Sequence, residues 1–313
     1  MLAAGSHPTM NTRFVTDADL PAWRHAAGCG CALHGRRRLG LGMAGLAALA
    51  ATPAWAQREG VDVGKNSSFS KLVPADQIEQ AAAQQFVQMQ REAASKRALA
   101  PDSHPQLQRL RYIAQRLIPY TYEWNRRAAQ WKWEVILIGS PQINAFCMPG
   151  GKIAFYWGIL QKLQLSDDEV AMIMGHEMAH ALREHARERM GKTFATRGAL
   201  EIGSALLGLG DLGRMAAGMG GQLLTLTFSR SDESEADLVG MELAARAGYN
   251  PAAGVTLWQK MAAASKGAPP EFLSTHPSGN TRIKDIEANL PKVEGLYAKA
   301  AKPSREFSPP PRG

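Results

Sequence analysis

The pentapeptide His176-Glu177-Met178-Ala179-His180 sets two imidazoles four residues apart, with a carboxylate directly after the first. Positions four apart share one face of a helix, so both rings can reach a single metal ion while Glu177 points toward a metal-bound water as a base. A zinc peptidase needs this set, plus a third protein ligand and an open coordination position. The acidic cluster DESEAD, Asp232 to Asp237, can supply that ligand. Glu233 and Asp237 are again four apart. Glu233 could bind zinc directly, while Asp237 accepts a hydrogen bond from a ligand histidine and fixes its tautomer.

Helices must position both clusters. Ser166 is a fitting N-cap, Asp168 and Glu169 favour the positive helix end, and Val170, Ile173 and Met174 carry the apolar progression into the histidine pair. The helix is expected to continue through Ala186 to Met190. On it, His185 stands nine residues past His176 and is turned by about 180°, so it is expected on the surface among Arg183, Glu184 and Arg187. The acidic cluster enters a second helix running toward Ala247 and ended by Gly248, with Glu235, Glu242 and Arg246 on its outer side. Small Ala236 and Gly240 beside the proposed ligand permit close approach to the histidine helix.

The rest of the chain predicts an α+β fold, mostly helical, with a small mixed or antiparallel sheet. Asp76 to Leu99 is rich in Ala, Gln, Glu and Lys, and Pro101 stops it. Pro105 to Ile118 carries the apolar stripe Leu107, Leu110, Ile113, Ala114 and Leu117. Trp131 to Ile138 reads as a strand, and Ile143 to Phe146 and Lys152 to Trp157 as further extended segments around Pro149, Gly150 and Gly151. Gly191 to Thr227, rich in Gly, Ala, Leu and Met, suits closely packed helices or a mobile lid. Glu201, Asp211 and Arg214 interrupt it, which argues against a membrane hairpin. A helix follows Pro251, a shorter one follows Asn280, and residues 298–313 form a flexible tail.

Composition narrows the function classes. The 313 residues are 45% hydrophobic, enough for a sizeable core, and the net charge of +8 forms no long Lys/Arg tract, which argues against nucleic acid as a partner. Arg36, Arg37 and Arg38 precede the apolar run Leu39 to Ala51 and the small-residue site Ala54-Trp55-Ala56. This is the layout of a secretory leader over residues 1–56, and the arginines leave twin-arginine export open. The apolar run would make only about 20 Å of helix, too short to anchor in a bilayer. Cleavage would remove Cys29 and Cys31 and leave Cys147 without an intramolecular partner.

Together, NAFCMPGG (Asn144 to Gly151), HEMAH, SRSDESEAD (Ser229 to Asp237), ARAGYNP (Ala245 to Pro251) and STHPSGNTR (Ser274 to Arg282) resemble the M48 family of zinc metallopeptidases, in particular its periplasmic chaperone-protease branch. The resemblance covers roughly Ala75 to Leu290 and implies a zincin-like domain over residues 57–297 holding one zinc ion per chain. It implies Glu233 as the third zinc ligand after His176 and His180, with Asp237 as its companion. It directs attention to His276, as a fourth ligand or as a donor to the reacting carbonyl, and to Arg282, as a partner of substrate or of Asp237. It also locates a substrate-binding strand edge at Asn144 and Ala145, while Cys147 nearby suits buried packing. The implied activity is hydrolysis of misfolded or unassembled cell-envelope proteins, with Glu177 as the base. Peripheral contact with a membrane or with outer-membrane assembly machinery fits the same setting. A zinc-binding periplasmic chaperone with little or no turnover is the alternative. A structural protein with an incidental histidine pair leaves Glu233, Asp237 and His276 unexplained.

Export with cleavage after Ala56 would yield a chain beginning at Gln57. Amino-terminal sequencing of the exported protein checks this, and retention of Met1 or Met10 would refute it.

Overall fold

The computed structural model describes residues 58–201, 223, 226–265, 270–276 and 281–312. The expected leader at 1–56 and positions 202–222 and 224–225 of the Gly-rich segment lie outside the described residues.

Helix α1 (Ala75–Ser95) is followed by α2 (Pro105–Leu117), whose entry is fixed by Pro105 in its first turn and by His104, which accepts a hydrogen bond from the Gln106 N–H. The expected stripe of α2 is fully buried. Three strands follow, β1 (Glu134–Ile138), β2 (Ala145–Met148) and β3 (Lys152–Tyr156), in the order β1-β3-β2. β3 runs parallel to β1 and antiparallel to β2, so the sheet is mixed. The turn between β2 and β3 depends on Gly150 and Gly151, at φ of 83° and 75°, which side chains with a Cβ rarely adopt. A Cβ at Gly151 would also lie 2.7 Å from the Trp133 ring. Among the described residues β2 lies at the margin of the sheet, paired only with β3. A helix that the sequence pattern did not mark, α3 (Trp157–Leu163), leaves β3 directly.

The central helix α4 (Asp167–Leu182) starts as expected: Ser166 and Glu169 form a reciprocal capping box. It is buried almost all round and packs against β2, α2 and three later helices or helix ends. It does not continue to Met190. The Leu182 carbonyl accepts from the Asn125 side chain at 3.1 Å, and Glu184 takes φ of 61° in the left-handed region. The chain turns there, and a separate helix, α5 (His185–Glu201), begins.

The acidic cluster opens α6 (Arg230–Arg246), again through a capping box, with Ser229 paired to Asp232. Gly248, at φ of 85°, ends it. Glu242 corrects the expectation of an outer surface: it is fully buried, accepting from Arg58 at 2.7 Å, from Arg246 at 2.8 Å and from the Val61 N–H at 2.8 Å. The segment around Arg58 to Val61 crosses this side of α6, which helical periodicity alone does not reveal. Glu235 and Arg246 are half-buried. The remaining elements are α7 (Ala253–Ala264), α8 (Glu271–Thr275), α9 (Thr281–Asn289) and α10 (Pro291–Lys299). The expected tail is tied to the body, because Phe307 N donates to Asp167, and Gln106 and Gln164 donate to the Ser308 and Pro310 carbonyls. No helix among the described residues is long and apolar enough to cross a membrane.

α4 and α6 meet at two glycines. A Cβ on Gly175 would lie 2.7 Å from the Gly240 carbonyl oxygen, and one on Gly240 would lie 2.6 Å from the His176 backbone nitrogen. Backbone this close can yield only by separating the helices. Gly240→Ala should therefore destabilise the fold by about 1–3 kcal/mol, as overpacking does. Chemical denaturation measures this, and a variant as stable as the parent would contradict the packing.

Candidate metal centre

α4 presents His176 and His180 on one face, and the first turn of α6 presents Glu233 against them. His276, immediately after α8, closes the group. Its position is fixed by backbone bonds: His276 N to Phe272 O at 2.9 Å, Phe272 N to Ile143 O at 3.1 Å, and Phe228 N to Thr275 O at 3.2 Å. His176 Nε2 lies 3.1 Å from His180 Nε2 and 3.3 Å from His276 Nδ1. Glu233 Oε1 is 3.0 Å from His276 Nδ1 and 3.4 Å from His180 Nε2, and its Oε2 is 3.6 Å from His176 Nε2. Ligands about 2.0–2.1 Å from a tetrahedral zinc ion stand roughly 3.3 Å from one another. Five of the six donor pairs lie near this separation, and all four donors are buried and within 4.8 Å of one another, so their chemistry and spacing fit a metal ion.

A layer of hydrogen bonds orients the donors. Asp237 Oδ1 is 3.0 Å from His176 Nδ1, which turns the other ring nitrogen inward. Arg282 forks onto Asp237 at 2.6 and 2.7 Å and reaches Glu233 at 2.7 Å, with its guanidinium 3.6 Å from the Trp258 ring centroid. Burial alone would raise the Asp237 carboxyl, but the Arg282 charge and the hydrogen bonds from His176 and Arg282 hold it at about 2. Burial also raises Glu233, and the His276 hydrogen bond with the charges of His276, His176 and Arg282 outweighs it, leaving this carboxyl below its ordinary range. Burial pushes His180 well below the usual imidazole value, which keeps the ring neutral as a metal ligand must be. For His276 burial works in the same direction, but Glu177 and Glu233 reverse it and raise the ring.

Glu177 stands at the edge of the donor group. Its Oε1 is buried without a hydrogen-bond partner, 3.6 Å from His276 Nε2, and burial raises its pKa. The cleft in front of it is walled by Asn144 to Pro149, His180, Phe228 and His276. Asn144 and Ala145 thus border the same cleft as Glu177, with the Asn144 side chain accepting from the Ala145 N–H at 2.9 Å. Cys147 is buried in that wall, where desolvation raises its thiol well above its ordinary value.

The structure brings His176, Glu177, His180, Glu233, Asp237, His276 and Arg282 together, and it gives Arg282 to Asp237 and Glu233. His185 is a correction: it is buried, with its Nδ1 2.9 Å from His180 Nδ1, because the break at Arg183 and Glu184 voids the angle of a continuous helix. Two aromatic contacts carried no signal in the sequence. Phe228 stacks on His180 with centroids 4.0 Å apart, and Phe272 on His276 at 4.5 Å. Both rings come from short segments without periodicity.

The Asp237 pair has a pH signature. Its folded pKa of about 2 lies below the ordinary 3.8, so the pair stabilises the fold above the unfolded value and loses this as pH falls through the folded one. In chelator-treated protein, Asp237→Asn should remove on the order of 2 kcal/mol from the pH dependence of stability between about pH 4 and 2. Denaturant titrations across that range test this, and identical acid limbs would refute it.

Residues 104–290 match the model of peptidase family M48. Mitochondrial metalloendopeptidase OMA1 of Schizosaccharomyces pombe is 39% identical over 166 residues, covering 52% of this chain and 48% of the relative. Metalloprotease LoiP of Escherichia coli is 30% identical over 151 residues, covering 47% and 59%. Beta-barrel assembly-enhancing protease of Yersinia pestis is 28% identical over 171 residues, covering 51% and 35%. The chain thus spans less than two thirds of the length of each of these relatives. The family match extends over more than half of the chain and takes in every donor of the centre and every residue that orients them, and the chain belongs to peptidase family M48.

Proposed function

We propose that the chain is a zinc-dependent endopeptidase acting on misfolded or unassembled polypeptides of the cell envelope. The observation that carries this reading is the meeting of three elements in one cleft: the donors His176, His180, Glu233 and His276, the Glu177 carboxylate beside them with its Oε1 lacking a hydrogen-bond partner, and the margin of the sheet at β2. Zinc held by these donors would polarise a peptide carbonyl and make water a better nucleophile. Glu177 takes the proton from the attacking water and returns it to the leaving amine. Its raised pKa suits a group that must both accept and release. His276 completes the donor set in this arrangement, and its Nε2, 3.6 Å from Glu177 Oε1, is the donor we assign to the reacting carbonyl.

Because β2 pairs only with β3 among the described residues, its other side offers backbone groups to an extended peptide. Recognition through backbone favours unfolded chains of varied sequence, and Asn144 and Ala145 stand where such a peptide would run. Two considerations support an envelope setting: the leader-like residues 1–56, which favour the periplasm, and the relative named a beta-barrel assembly-enhancing protease. OMA1 relatives are named as mitochondrial, so the family serves more than one compartment. The fully furnished four-donor set also suits a zinc-binding chaperone that holds such chains without much cleavage.

Glu177→Gln is expected to retain one zinc per chain and to lower cleavage of unfolded outer-membrane proteins by about 10²–10⁴-fold. Metal analysis beside a cleavage assay decides. Full activity in the metal-loaded variant removes Glu177 from the reaction, and metal without turnover in the parent protein favours the chaperone.

A further inference from the structure

His185 stands outside the donor set, yet it is buried and its Nδ1 faces His180 Nδ1 at 2.9 Å. On an unbroken helix, a residue five positions further along is turned by about 140° and the two rings could not meet. The turn at Arg183 and Glu184 makes the contact. A neutral imidazole carries one ring proton, so a His180 that offers Nε2 to a metal must keep its proton on Nδ1. The Nδ1 of His185 is then the acceptor and must be bare, which places the His185 proton on Nε2. That nitrogen is buried without a hydrogen bond, and Glu235 Oε1 lies 3.7 Å from it. Arg183 binds the same carboxylate oxygen, so Glu235 is held in place.

We infer that His185 is a positioning residue for the metal ligand His180: its Nδ1 accepts the His180 Nδ1 proton, and its Nε2–H is turned toward the Glu235 carboxylate. This rests on the proposal that His180 Nε2 binds zinc. The two ligand histidines are thereby oriented by different chemistry. His176 leans on a carboxylate, Asp237, and His180 on a neutral ring. Electrostatics favours the asymmetry. Glu177, Glu233 and Asp237 already bring three carboxylates into a buried space whose fixed positive side chain is Arg282, and a neutral acceptor fixes the second ring without adding a fourth. Phe228, stacked on His180 with its centroid 6.2 Å from that of His185, shields this face from water.

The test uses the full chain and zinc in competition with a chelator. His185→Phe keeps a ring of similar size but removes the acceptor, and it should bind zinc about 10–100-fold more weakly, as loss of a partner behind a ligand does. His185→Gln, whose side-chain oxygen can accept, should recover most of that loss. A packing role predicts the opposite order, with the phenylalanine variant matching the parent. Nitrogen-proton correlation spectra of the zinc-loaded parent give a readout that needs no variant: His180 protonated on Nδ1 and His185 on Nε2. A His185 proton on Nδ1, or a phenylalanine variant within twofold of parental affinity, overturns the inference while leaving the zinc reading intact. A parent protein that binds no zinc overturns both.

Discussion

The approach of α4 to α6 at Gly175 and Gly240 governs the geometry of the centre. One helix carries His176 and His180, the other carries Glu233 and Asp237, and the donors can meet only if the two backbones come nearer than side chains with a Cβ allow. The contact point falls beside His176 itself, so helix separation converts directly into donor separation. The capping boxes at Ser166 and Ser229 set where each helix begins, and hence which residues face the seam. Packing, capping and ligand spacing are therefore one constraint expressed at three scales.

Within that seam the buried charges are arranged to be mutually satisfied. Arg282 spans Asp237 and Glu233, and the Trp258 ring lies under its guanidinium. A buried ion pair of this kind adds little net stability, because desolvation offsets much of the attraction, but it holds two carboxylates in fixed orientations. Glu177 is the exception, with one oxygen left without a partner. A carboxylate meant to exchange protons with a substrate benefits from that freedom.

Local patterns make much of this legible in the sequence alone. The four-residue spacings, the Ser166 cap, the α2 stripe and the closing Gly248 all act over a single helix or turn, and the structure bears each out. Small residues at Ala236 and Gly240 even announced the close approach. Features that depend on distant chain were hidden. Glu242 is buried because the Arg58 to Val61 segment crosses it, and the helix break after Leu182 draws on an Asn125 side chain from before the sheet. The surface position expected for His185 fails for that reason: an angle along a helix has no meaning once the helix ends. Arg282 and His276 came into view through the motif they share, and their partners became clear only in three dimensions.

The donors also come from well-separated stretches of chain. His176 and His276 lie 100 residues apart, and 43 residues separate Glu233 from His276. An ion gripping all of them would act as a removable clasp across loops of up to 100 residues, much as a disulfide does in chains that have cysteines to spend. Because the unfolded chain scatters these donors, such an ion would favour the native state by mass action, so occupancy and durability would rise and fall together. Metal supply in the surrounding compartment would then set how long each molecule persists as well as whether it works.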